Sequence, residues 1–457
     1  VAIDPTLAIS RSDLTAPFDE GEKGEGGAQL LGTESEKFGV QAATGAPVSY
    51  DGKTCGILGF FEALCDADSR WQPVREREGG PIIALTRGSG TDKQQVSLEP
   101  GAQLELSGAA VPTVHDVAAE LEAHLADIAP AANACGVKWL SVGYHPLAKP
   151  VELPWVPKER YAIMRDYFPT VGSRGLDMMR RTATVQVNVD YASEEDAMRK
   201  LVVGLKLGPI ATAMFACSPF SAGRKNGLRS ERAQVWLDTD ADRCGLIPSL
   251  AGAKAPRYDD YVAWALEVPM YMFKRDGRVI ANTGQRFRSF LEEGFDGHRA
   301  TMGDWITHLN TLFPEARLQK TIELRCTDAL PRRLAPAVPA LWAGLLYDEV
   351  SLQGAYELAA ELDVADVQAA RPEIARCGIG ATVAGRPAQE LAVAMLELAD
   401  AGLARRARMD ESGRDERIHL APIIALAQAG KCPADELLEG IDDAPDLRQA
   451  ILERTLV

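Results

Sequence analysis

Residues 182–190 read T-A-T-V-Q-V-N-V-D. Ala183, Val185, Val187 and Val189 occupy one parity, and Thr182, Thr184, Gln186, Asn188 and Asp190 the other. Successive side chains of a strand point to opposite faces, so this stretch predicts a sheet with one dry face and one polar face.

Three further segments repeat the pattern with carboxylates. In G-T-E-S-E-K-F-G (32–39), Glu34 and Glu36 stand two apart and point the same way on a strand. In L-E-P-G-A-Q-L-E-L-S-G (98–108), Gln103, Glu105 and Ser107 share a face opposite Leu104 and Leu106, with Glu99 just before the Pro100-Gly101 break. In T-I-E-L-R-C-T (321–327), Glu323 and Arg325 oppose Ile322, Leu324 and Cys326. Two readings fit these segments. One is an antiparallel sheet whose polar face is simply solvated. The other is a site where carboxylates on one face repel one another until cations neutralise them. Oxygen-only ligands suit Mg²⁺ or Mn²⁺, and Arg325 beside Glu323 suits a phosphate oxygen.

The rest of the chain frames these strands. Strands are predicted over 30–40, 82–85 and 96–107, the last interrupted at Pro100-Gly101, and over 321–327. Helices are predicted over 57–67, over 113–128 from the spacing of Val114, Val117, Leu121, Leu125 and Ile128, and over 193–216 with Ser193 as N-cap. Residues 270–274 and 278–281 suggest a hairpin about Asp276-Gly277. Residues 217–258 are rich in turn formers and are expected to wrap the site. After Pro331 strand signals fade into Ala- and Leu-rich helices, with a polar loop near 410–416. The expected organisation is a single catalytic domain over 1–457: a sheet-bearing core at 28–330 and a helical C-terminal portion at 331–457 packed on it.

The chain has 457 residues, 46% of them hydrophobic, and a formal net charge of −16, which argues against a nucleic-acid surface. No apolar run is long enough to span a bilayer, and Val1–Leu14 shows no signal-peptide pattern. The eight cysteines are scattered without a C-x-x-C, which predicts buried free thiols in a reducing, cytoplasmic setting. Gly52-Lys53-Thr54 imitates the end of a phosphate-binding loop, but Pro47 stands where its first glycine is required.

The carboxylate segments, with M-M-R-R-T-A-T-V-Q-V-N-V-D (178–190), P-I-A-T-A-M-F-A-C-S-P-F (209–220), D-T-D-A-D-R-C-G (238–245), V-P-M-Y (268–271) and P-A-L-W-A-G-L-L-Y-D (339–348), resemble the plant-type glutamate–cysteine ligase family. The likeness runs from about residue 30 to 430. It implies an α+β fold related to glutamine synthetase: a curved, mainly antiparallel sheet with outer helices. It also implies ATP-dependent joining of the L-glutamate side-chain carboxyl to the L-cysteine amine through a γ-glutamyl phosphate.

By this resemblance Glu34, Glu36, Glu99, Glu105 and Glu323 are candidate metal ligands. Arg325 steadies the phosphoryl group, and Arg232, Arg181, Gln186 and Asn188 contact or orient substrate. The implied partners are small molecules (L-glutamate, L-cysteine, ATP with Mg²⁺ or Mn²⁺), with no nucleic acid or membrane, in a monomer or homodimer. A γ-glutamyl ligase for another amine and a non-catalytic binding homologue are the alternatives. The chain departs from the family at Ser35, where His is usual, at Leu228 and Glu231 in place of tyrosines, and at Ala102 and Leu104 in place of Gly and Phe.

Overall fold

The computed structural model describes residues 4–52, 55–90 and 93–457; Lys53 and Thr54 of the phosphate-loop imitation lie outside this set. One sheet organises the chain. Its strands are β1 (Leu31–Gln41), β2 (Gln72–Arg75), β3 (Ile82–Arg87), β4 (Gln94–Leu98), β5 (Leu104–Ser107), β6 (Val137–Leu140), β7 (Thr184–Val189), β8 (Ala316–Leu318) and β9 (Ile322–Asp328). The order is β8-β9-β7-β1-β5-β4-β3-β2, with β6 pairing the second half of β1. Every pairing in it is antiparallel. The α+β, mainly antiparallel architecture that the resemblance implies is therefore present.

The dry parity of β7 does what its valines dictate. Val185, Val187 and Val189 join Leu31, Ile322 and Leu324 in the main core, against Leu201, Leu205, Leu341 and Trp342 from helices Glu194–Met214 and Ala337–Leu346. Ser193 caps the first of these helices by accepting from Asp196 N at 3.3 Å, as its sequence position suggests. Close approach of that helix to the sheet depends on Gly204, where an added Cβ would lie 2.7 Å from Ala316 and Leu324 side-chain carbons. A second core, under β3 to β6, joins Phe60, Phe61 and Leu64 to Val96, Leu98, Leu104 and Trp139.

Several boundaries differ from the sequence reading. The helix predicted to end at 128 continues through Pro130 to Cys135, where Gly136 at φ 61° caps it. Strands β2, β6 and β8 are too short to show alternation. The predicted hairpin forms as Met272–Arg275 with Arg278–Ala281, its two-residue turn at Asp276 (φ 50°) and Gly277 (φ 73°). Beyond Pro331 the chain is helical apart from a short ribbon, Thr382–Val383 with Arg386–Pro387. The loop near 410–416 is polar, yet its last residue, Glu416, is fully buried and accepts from Val114 N at 2.7 Å. It thereby ties the C-terminal portion to the start of helix Val114–Cys135.

The expectation of free thiols throughout needs correction. Cys55 and Cys135 form a disulfide with their Cα atoms 5.2 Å apart; the other six cysteines are free. Cys55, two residues before helix Ile57–Ala67, meets the last residue of helix Val114–Cys135, a juxtaposition that residues 80 apart in sequence do not announce. No helix among the described residues is long and apolar enough to cross a membrane.

Gly204→Val should destabilise the fold by about 1–3 kcal/mol through overpacking against β8 and β9, as read by urea unfolding. Unchanged stability would mean that the helix does not sit as closely on the sheet as this contact requires.

Candidate functional site

The register gathers the polar residues into rows. Glu34 lies between Gln186 of β7 and Ser107 of β5; Glu36 is opposite Glu105, and Glu105 opposite Ser97. On the other flank Asn188 faces Gly32 and Glu323, and Glu323 faces Arg317 of β8. Side chains directly opposite on one face stand about 4.5–5.5 Å apart at Cβ, so the register alone makes these groups neighbours. Glu99 joins them from the turn between β4 and β5. Its carbonyl accepts from Ala102 N at 2.9 Å, and Tyr161 Oη lies 3.5 Å from its Oε1. Ala102 holds φ 66°, a left-handed conformation in which a glycine would be unstrained.

The carboxylates do not share one electrostatic state. Burial, then Glu323 and Glu105, pushes the Glu34 carboxyl well above the usual range. Burial, then Glu99 and Glu105, does the same to Glu36, which also accepts from Thr184 N at 3.0 Å. Glu105 is raised by burial and Glu99, although Ser107 and Ser97 hydroxyls donate to it at 2.8 and 2.9 Å. Glu323 goes the other way. Burial opposes its ionisation, but Arg317 at 2.6 Å and Arg325 at 3.0 Å hold its carboxyl below the ordinary value.

Arg325 sits on a β-bulge. Leu324 pairs with Val187 and Thr327 with Val185, so two residues of β9 face Gln186 alone. Its Nη1 donates to Gln186 Oε1 at 2.6 Å, which gives Gln186 the job of orienting the guanidinium. Asn188 accepts from the Thr321 hydroxyl at 2.9 Å. Arg232, buried, donates to the Arg325 carbonyl at 2.7 Å and lines a cavity with Arg325, Trp236 and Phe313. Glu231 adds no loose negative charge beside it, because Arg174 pairs with Glu231 at 2.7 Å.

Arg181 is engaged elsewhere. It donates to the Ala148 carbonyl and Ser221 Oγ, both at 3.0 Å, pairs with Asp177 at 3.3 Å and covers the Tyr144 ring. Gln103 is a tie, bonding Gly101 N and the Met179 and Thr182 carbonyls. Ser35 points away from Glu34 and Glu36, as strand parity requires, and accepts from Lys37 Nζ at 3.3 Å.

Sequence reasoning missed the cations that flank the cluster. Lys158 Nζ donates to the Leu98 carbonyl at 2.7 Å and to Tyr161 Oη at 3.2 Å; Arg160 donates to the same hydroxyl at 3.2 Å. Burial and Arg160 bring Lys158 down to about 8, with Glu99 and Glu105 pulling against the shift. The K-E-R-Y run at 158–161 carries no motif; only the basic spacing hints at it. Arg317 was equally silent in A-R-L.

Among the described residues, no three His, Cys, Asp or Glu side chains are drawn together as a ready-made metal cage. The donor chemistry nevertheless fits a hard divalent cation. The candidate ligands are oxygens only, and burial and mutual repulsion raise Glu34, Glu36 and Glu105 despite the opposing pull of Arg325, Arg317, Arg232 and Lys158.

Residues 30–453 match the family described as glutamate-cysteine ligase family 2 (GCS2). The chain belongs to this family. It is 40% identical over 441 residues to the chloroplastic glutamate–cysteine ligase of Brassica juncea, covering 96% of this chain and 82% of that one. The corresponding enzyme of Arabidopsis thaliana is also 40% identical over 441 residues, covering 96% and 81%. Among solved structures, the glutamate–cysteine ligase of Francisella tularensis in complex with AMP shares the fold at TM-score 0.51 and 12% identity, over 94% of this chain and 87% of that chain. Membership makes this chain a ligase of the glutamate–cysteine type. The cytoplasmic expectation is overturned by the plant relatives, whose names place them in the chloroplast. Composition and cysteine spacing carried no compartment address.

Groups with raised folded-state pKa values contribute stability below the ordinary carboxyl range and lose it as pH rises through their folded values. Glu34, Glu36 and Glu105 are of this kind, and Glu323 is opposite in sign. Added Mg²⁺ should therefore raise the thermal midpoint more at about pH 8 than at about pH 5. Equal increments at both pH values would contradict a cation-deficient cluster.

Proposed function

We propose that the enzyme joins the side-chain carboxyl of L-glutamate to the amine of L-cysteine with ATP, giving γ-glutamylcysteine, ADP and phosphate, the first step of glutathione biosynthesis. The observation that carries this reading is the partly buried sheet face in which Glu34, Glu36 and Glu105 crowd together beside the arginine pair on Glu323, in a chain of this family.

A carboxylate is a poor electrophile because its oxygen does not leave. Transfer of the γ-phosphoryl group to that oxygen makes phosphate the leaving group. The amine then attacks the carbonyl carbon, loses a proton and expels phosphate. Glu34, Glu36, Glu99, Glu105 and Glu323 would hold Mg²⁺ (or Mn²⁺), which when bound would supply charge neutralisation to the phosphate oxygens.

The chain's own residues divide the remaining work. Arg325, aimed by Gln186, steadies the transferring phosphoryl group. Arg232, opening on the adjacent cavity, takes a carboxylate of glutamate. Lys158 and Arg160 offset charge beside Glu99 and Glu105. Asn188 holds the polar row at Thr321 and orients substrate. The sheet-bearing core at 28–330 and the helical portion at 331–457 serve as one catalytic domain.

Phosphate release from ATP and Mg²⁺ with glutamate and a panel of amines tests the reading. Cysteine should be the preferred acceptor. Glu36→Gln should lower turnover by roughly a hundredfold or more while the thermal midpoint stays or rises, since a neutral amide relieves repulsion. Equal rates with all amines would reassign the acceptor. Absence of glutamate-dependent release would remove the ligase reading.

A further inference from the structure

The bulge in β9 leaves Arg325 without a partner of its own on β7. Its backbone N–H turns outward and donates to the Glu315 carbonyl at 3.0 Å. Glu315 stands immediately before β8, and its carboxylate takes a hydrogen bond from the Arg371 guanidinium. Arg371 belongs to helix Val364–Cys377 of the C-terminal portion, so the pair joins that portion to the bulge. The pair is largely withdrawn from solvent, with the side chains 14% and 10% exposed. Arg371 fits against Gly245, whose φ of 87° suits glycine and where a Cβ would lie 2.6 Å from Arg371 Nη1. Arg371, Glu315, Arg232 and Arg325 line the same cavity.

The cavity therefore contains a carboxylate beside the guanidinium groups assigned to phosphate and glutamate. Opposite charges attract strongly where water is excluded. Left unpaired, Glu315 would compete with Gln186 and Glu323 for Arg325, and with an incoming substrate carboxylate for Arg232. Its competing charge is cancelled by one arginine that reaches in from the helical portion.

We propose that Arg371 is a positioning residue for the ligase reaction: by occupying the Glu315 carboxylate it keeps Arg325 and Arg232 free to face their substrates. This rests on the roles given to Arg325 and Arg232 above. It differs from an ordinary structural ion pair in one consequence. Removing Arg371 harms catalysis through the charge it exposes, so removing that charge as well restores catalysis.

The test compares Arg371→Gln, Arg371→Lys and the double variant Arg371→Gln/Glu315→Gln. Arg371→Gln should lower kcat by roughly tenfold to a hundredfold, as misplacement of a reacting-group contact does. The double variant should return to within about threefold of the parent, the non-additivity expected of groups in contact. Arg371→Lys, which keeps the charge, should stay closer to the parent than Arg371→Gln. Crystal structures should show the Arg325 guanidinium turned from Gln186 toward Glu315 in Arg371→Gln and returned in the double variant. A double variant as slow as Arg371→Gln, a lysine variant as slow as the glutamine one, or an unmoved Arg325 would overturn the proposal. If the parent enzyme showed no glutamate-dependent turnover, the proposed reaction would fall, and the position of Arg325 in the crystals would still decide this inference.

Discussion

Crowded negative charge on one face of β1 is the constraint around which the molecule is arranged. Strand parity forces Glu34 and Glu36 to the same side, and antiparallel pairing sets Glu105 against Glu36 and Gln186 against Glu34. Burial then makes each uncompensated charge costly, so the surroundings are organised to meet it. Arg317 and Arg325 balance Glu323; serine hydroxyls and a backbone amide serve Glu105 and Glu36; Lys158 and Arg160 close the far end. Glu34, Glu36 and Glu105 are still raised after this compensation, which is the kind of residual negative charge a divalent cation would offset.

The opposite face explains how such a site is afforded. The valines of β7 and the aliphatic residues of β9 pack on helices Glu194–Met214 and Ala337–Leu346, giving a rigid platform whose geometry is set by apolar contact rather than by the charges. The C-terminal portion adds buried polar ties at both ends. Glu416 reaches the start of helix Val114–Cys135, and Arg371 reaches the bulge through Glu315.

Much of this was legible in the residue order because strand alternation is a local property. The parity of 182–190, 34–36, 103–107 and 322–326 placed Gln186, Asn188, Glu34, Glu36, Glu105 and Glu323 on the polar side before any pairing was known. Register was not legible: nothing local says that Glu36 lies opposite Glu105, or that β9 carries a bulge between Leu324 and Thr327. Lys158, Arg160 and Arg317 were missed because a cation in a short segment looks like any surface cation until the fold brings it to a carboxylate. Arg181 stood beside the right strand, yet its guanidinium is spent on Asp177, Ala148 and Ser221. The Cys55–Cys135 bridge was hidden for the same reason as the register, since it depends on two helix ends meeting.

We propose that the glutamates of this face hold divalent cations against a nucleotide phosphate chain. Anomalous diffraction from crystals grown with Mn²⁺ and a non-hydrolysable ATP analogue tests it most directly. Manganese peaks should fall among Glu34, Glu36, Glu99 and Glu105, with phosphate oxygens reaching toward Arg325. Nucleotide bound with its manganese away from this face, and the glutamates left without metal, would remove the metal-site assignment.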